Sequence, residues 1–114
     1  MNSPNTLFEA PFLKNTLSPN IVTYAEYESG DTYVMANYPG KKGDELAFYL
    51  VADGTFPIIK KRILGSDRED HGIAIDPAND WELVGKQIYA FITVFRDSKF
   101  LGFSALFSFT ILAE

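Results

Sequence analysis

The chain has 114 residues, 46% of them hydrophobic and 15% aromatic, with a formal net charge of −5 and no cysteine. That length suits one domain, residues 1–114, rather than two cores. The apolar content excludes an intrinsically disordered chain, and the missing cysteine removes disulfides and thiol chemistry. The acidic balance weighs against a general nucleic-acid binder, which needs a basic stripe.

Residues 1–20 carry Pro4, Pro11 and Pro19 among Asn, Ser and Thr. They read as an extended N-terminal segment, with Leu7, Phe8, Phe12 and Leu13 available to pin it to the body. No basic region leads into a long apolar run, so no standard signal peptide is read. The expected location is the cytoplasm or an exported site reached without such a signal. The longest apolar stretches are interrupted by Thr93, Arg96, Ser104 and Ser108, and none is long enough to span a membrane. From Ile21 onward, short apolar runs alternate with turn signals, predicting strands over residues 21–27, 33–38, 45–52, 57–64, 72–76, 87–95 and 103–112. Seven strands at this spacing suit a sandwich or a small barrel. Pro77 and a length of only a few residues limit any helix over 78–84 to a turn or two. At the C-terminus, strict alternation assigns Phe103, Ala105, Phe107, Phe109 and Ile111 to one dry face.

Several segments recur in a familiar order: Leu7-Phe8-Glu9-Ala10-Pro11, then Asn37-Tyr38-Pro39-Gly40-Lys41-Lys42-Gly43-Asp44, then Gly85-Lys86-Gln87-Ile88-Tyr89-Ala90-Phe91-Ile92-Thr93-Val94, then the run from Ser104 to Ile111. Together they span nearly the whole chain. This pattern resembles the bacterial immunoglobulin-like sandwich modules found in large surface-associated or exported proteins. The resemblance implies an all-β, immunoglobulin-like sandwich of about seven strands in two antiparallel sheets. It does not by itself fix a function, because one sandwich hosts many unrelated roles.

Candidate chemistry is sparse. His71 is the only histidine, so a paired-histidine mechanism is excluded, and no Gly-x-Ser-x-Gly elbow accompanies it. It reads as a strand-edge residue beside Gly72. Asp67-Arg68-Glu69-Asp70 supplies carboxylates but lacks a calcium-loop pattern and reads as a solvated loop. Asp76 and Asp80 flank a Pro turn and are expected to accept backbone hydrogen bonds. Gly40-Lys41-Lys42-Gly43 lacks the phosphate-loop spacing and reads as an exposed connection. Alternation puts Lys60 and Arg62 outward, as edge protection. Trp81, the sole tryptophan, is either a sugar-stacking platform or a cap over one end of the core. No cofactor, no metal and no catalytic residue is expected.

One feature breaks the usual pattern of a wet outer face on an antiparallel sheet. Leu46, Phe48, Leu50, Ile88, Ala90, Ile92 and Val94 alternate inward. Tyr49, Val51, Tyr89, Phe91, Phe95, Leu106 and Leu112 then point outward. Such a patch marks an interface unless the N-terminal segment folds back over it. The expected function is a non-enzymatic interaction module, with Tyr49, Tyr89, Phe91, Phe95 and Leu106 binding a protein partner or a second copy in a homodimer. The alternative is a glycan- or cell-surface-binding domain of an exported effector or toxin-like protein, using Trp81, Tyr24 and Tyr27.

Overall fold

A computed structural model describes residues 6–114; the first five, Pro4 among them, lie outside the described residues. The fold is all-β, with two sheets and one six-residue helix. The strands are β1 (Thr6–Phe8), β2 (Phe12–Lys14), β3 (Ile21–Val22), β4 (Tyr33–Gly40), β5 (Glu45–Ala52), β6 (Ile58–Ile63), β7 (Arg68–Ala74), β8 (Gln87–Arg96), β9 (Lys99–Ser104) and β10 (Phe107–Ile111). The smaller sheet is antiparallel, in the order β2-β4-β7. The larger sheet has seven strands and is mixed. Antiparallel pairing links β6 to β5, β5 to β8, and β8 to both β9 and β10, whereas β1 adds parallel to β9 and β3 parallel to β10.

Four predicted strands hold nearly as drawn: β4, β5, β6 and β8. Residues 21–27 do not form one strand. Ile21–Val22 pairs with β10, and the chain then enters the helix α1 (Tyr24–Ser29). The cause is a capping box: the Thr23 hydroxyl accepts from the Glu26 N–H at 3.2 Å, and the Glu26 carboxylate accepts from the Thr23 N–H at 2.8 Å. Gly30, with φ 76°, closes the helix in the left-handed conformation. The acidic run expected as a loop is the start of β7, its side chains exposed. Residues 78–84 contain a single 3-10 turn, Trp81–Leu83.

The predicted strand over 103–112 divides, and the division changes its faces. Phe103 pairs with Thr93 and Phe107 with Ala90, so Ser104, Ala105 and Leu106 stand opposite only Phe91 and Ile92. One extra residue makes a β-bulge and moves every later side chain to the other face. Phe109 and Ile111 therefore lie in the core and Phe107 packs against it, but Phe103 and Ala105, predicted inward, are exposed. The bulge keeps its polar groups paired. The Ser104 hydroxyl accepts from the Ile92 N–H at 2.9 Å and donates to the Ala105 carbonyl at 3.0 Å, and the Ala105 N–H donates to the Phe8 carbonyl at 3.1 Å. Next to it, a Cβ on Gly102 would run into the Thr6 carbonyl, so only glycine lets β1 lie this close.

The core lies between the sheets, with Phe48, Leu46, Leu50, Ile73, Ile88, Ile92 and Phe109 almost wholly buried. One end is closed around a buried acid. Asp44, its side chain 1% exposed, accepts from Arg96 Nε at 2.8 Å and Nη2 at 2.9 Å, from the Tyr38 hydroxyl at 3.0 Å and from the Lys41 N–H at 2.9 Å. These donors hold its carboxyl below the usual carboxylate range, the Arg96 hydrogen bond foremost. Burial, followed by the hydrogen bond to Asp44, pushes the Tyr38 hydroxyl far up. Tyr38 packs between Phe8, at 5.1 Å, and His71, stacked at 4.6 Å.

Removing the Asp44 carboxylate leaves a buried hydroxyl, a backbone N–H and a guanidinium without their acceptor. Asp44→Ala is expected to cost about 3 kcal/mol in urea unfolding. Arg96→Ala should cost less, because the Arg96 side chain is one-third exposed and two donors to Asp44 remain. An equal or reversed order would show that the carboxylate is not the centre of the network.

Burial holds the His71 imidazole below its ordinary pKa, so the folded protein keeps it neutral where the unfolded chain takes up a proton. Stability is then complete above about pH 6.5 and falls as the pH drops from there. The depressed Asp44 carboxyl adds a second loss below about pH 4. Unfolding midpoints measured between pH 7.5 and 5 should fall for the wild type and stay level for His71→Gln. A level wild-type profile over that range would refute the assignment.

Candidate functional site

The outer face of the larger sheet gathers most of the exposed aromatic side chains. Alternation in β5 and β8 puts Leu46, Phe48, Leu50, Ile88, Ala90, Ile92 and Val94 into the core, as predicted. Their neighbours are forced outward in register: Tyr49 opposite Phe91, Val51 opposite Tyr89, Glu45 opposite Phe95. Tyr49 and Phe91 stack at 4.7 Å with planes 3° apart and are half-buried by each other. Tyr89 and Phe95 are 45% and 40% exposed, and Leu106, at the bulge, is 64% exposed.

Sequence alternation missed part of this face. Phe103, turned out by the bulge, stacks on Phe100 at 6.3 Å, and Phe100 meets Phe95 edge-on at 5.4 Å. Ile59 pairs with Tyr49 and Ile63 with Glu45, which adds two exposed aliphatic side chains from β6. The signal that could have found Phe103 is Ser104, a short side chain able to take over a ladder hydrogen bond. Ala47, between Lys61 and Thr93 in register, leaves a depression of about 450 Å³ rimmed by Tyr49, Ile63 and Phe95. The only charged side chains that the register places on the face of β5, β6 and β8 are Glu45 and Lys61. The described N-terminal strands do not cover it. β1 extends the edge, with Leu7 outward and Phe8 against the core, and β2 belongs to the other sheet.

The alternative ligand residues do not come together. Trp81 is 63% exposed on its 3-10 turn rather than capping the core. Tyr27, at the end of the strand predicted over 21–27, is buried in α1; its hydroxyl donates to the Pro77 carbonyl at 2.9 Å, and burial raises its pKa. Tyr24 is half-buried, tilted against Tyr27 at 5.8 Å. A capped helix, not the predicted strand, carries both tyrosines, so neither forms a platform with Trp81.

The polar candidates are mostly structural. His71 lies on an edge strand but is buried, its Nε2 3.3 Å from the Tyr38 carbonyl. Asp76 accepts from the Ala78 N–H at 2.9 Å, and Asp80 from the Asp76 N–H at 2.8 Å, the turn roles expected of them. Lys60 and Arg62, predicted outward, share the inward face, since they pair with Phe48 and Leu46. The apolar run Ile58-Ile59 obscures the alternation there, and Lys60 is drawn in by Asp80, 2.7 Å away, and by the Ala74 carbonyl at 2.9 Å. Among the described residues, no three His, Asp or Glu side chains form a metal-ligand cluster, and no helix is long and apolar enough to cross a membrane. No protein-family model matches the chain, and searches of curated proteins and of solved structures return no match.

Proposed function

We propose that the protein is a non-catalytic, immunoglobulin-like interaction module of the kind found in surface-associated or exported proteins, and that it self-associates through the outer face of its larger sheet. Support for the immunoglobulin-like reading comes from the pairing order. β2-β4-β7 matches an A-B-E sheet, and β9/β10-β8-β5-β6 matches G-F-C-C′. The short parallel strands β1 and β3 and the direct passage from β6 to β7 depart from that plan.

The observation that carries the function is the stacked Tyr49–Phe91 pair surrounded by exposed Tyr89, Phe95, Phe100 and Phe103. A second copy is the occupant favoured by charge. The chain carries −5 overall, yet the three central strands of this face contribute one acid, Glu45, and one base, Lys61. Two copies meeting about a two-fold axis therefore avoid like-charge excess and can pair the two charges reciprocally. Burying roughly 300 Å² of apolar surface on each copy releases about 15 kcal/mol gross. Association and side-chain ordering consume most of that, leaving a dissociation constant on the order of micromolar.

Light scattering between about 10 µM and 1 mM should show a concentration-dependent dimer. Phe91→Glu and Phe95→Glu should each be folded by circular dichroism and remain monomeric over the same range. A wild type that stays monomeric at 1 mM, or charged variants that dimerise as well as the wild type, would sink the proposal. The exposure of Trp81 favours glycan binding as a second reading. That reading requires glycan-array signals that disappear in Trp81→Ala.

A further inference from the structure

A second cleft of about 660 Å³ opens between the free edge of β7 and strand β6, and it shares Arg62 and Ile63 with the depression on the aromatic face. Its floor is Tyr33, Met35 and Gly72, which the register places side by side on the outer face of β4 and β7. The absent Cβ at Gly72 leaves room for the Met35 thioether to lie across the strand beside Tyr33. The rim is cationic. Lys14 comes from β2, Arg62 from β6 and Arg68 from β7, against one acid, Asp70.

Arg62 is the informative residue. It follows Lys60 in the inward row of β6. Lys60 meets a carboxylate and a carbonyl, at 2.7 and 2.9 Å. Arg62, two residues on, makes no ion pair and donates no side-chain hydrogen bond among the described residues, and the same holds for Lys14. Arg68 Nε is held by the Asp70 carbonyl at 2.8 Å, which fixes the guanidinium at the rim. Three cations from three strands, converging on one cleft in a chain of net charge −5, form a local field opposite to that of the whole molecule.

We infer that this cleft binds a short acidic saccharide, its sulfate, phosphate or carboxylate groups on Arg62, Arg68 and Lys14 and a ring face on Tyr33 and Met35. A floor of Tyr33 and Met35 under a cationic rim matches a ligand with an apolar ring face and acidic substituents at its periphery, and guanidinium groups suit bidentate oxyanion contacts. The volume fits a small-ligand site. A long polyanion is disfavoured, because Asp67 and Glu69 stand in the turn and strand beside the rim and the chain as a whole carries −5.

The test is a calorimetric and NMR titration of the full chain with a sulfated hexasaccharide, a neutral hexasaccharide, inorganic sulfate and AMP. Saturable binding of the sulfated sugar alone is expected, with shifts at Tyr33, Gly65 and Gly72, and at least a tenfold loss of affinity in both Arg62→Gln and Arg68→Gln. Both residues are exposed, so the variants should keep the wild-type melting profile; Lys42→Gln and Trp81→Ala should bind as the wild type does. No saturable binding, equal binding of inorganic sulfate or AMP, or loss in Trp81→Ala without loss in Arg62→Gln would overturn the inference. Because Arg62 and Ile63 also line the depression on the aromatic face, the titration is repeated on Phe91→Glu, which should bind the sulfated sugar as the wild type does whether or not the wild type dimerises.

Discussion

Burying one carboxylate at the end of a small two-sheet domain demands that several chain segments meet at that carboxylate. Asp44 has four donors from three places: the end of β4, the turn that follows it, and the far end of β8. Tyr38 belongs to the smaller sheet and Arg96 to the larger, so the network ties the two sheets together without a disulfide. Arg96 can reach Asp44 only if β8 runs its full length beside β5. That register in turn aligns Tyr49 with Phe91. The aromatic face on the outside is thus a consequence of where the acid sits on the inside.

A second tie follows the same logic. Lys60 reaches from β6 to Asp80 and the Ala74 carbonyl, linking the edge of the larger sheet to the chain leaving β7. Both ties use charge to join one sheet to the other, and Asp44 and Asp80 are almost fully buried. Surface ion pairs contribute little by comparison; the exposed Lys41–Asp67 contact at 3.8 Å is of that kind. With its charges drawn to the seams, the outer face of β5 and β8 is left to aromatic side chains, whereas the outer face of β4 and β7 sits beside Arg62, whose row-mate Lys60 already has its acid.

The central strands were legible from sequence because β5 and β8 alternate without interruption, and a buried inner row fixes the outer one. The Tyr-Pro-Gly-Lys-Lys-Gly-Asp segment was legible as a turn but not as half of an ion pair, since Arg96 lies 52 residues further on and no local pattern links it to Asp44. The helix at Tyr24 had a readable signal, Thr23 followed three residues later by Glu26, which the aromatic and β-branched residues around it outweighed. The cap reading of Trp81 failed for a different reason. Tryptophan is mostly buried as a type, but the neighbouring Leu83 takes the core position of that turn.

The bulge at Ser104 shows why the site was only partly legible. A single inserted residue leaves no trace in composition and preserves the alternating letters on either side, yet it exchanges Phe103 for Phe107 at the core. Were the strand regular, Phe103 would share the inward row with Phe107 and Phe109; the bulge turns it outward, while at Gly102 β1 approaches too closely for a side chain. The close approach of β1 requires glycine at 102, glycine leaves its neighbours to define the outer surface, and Phe103 joins Phe100 and Phe95 there.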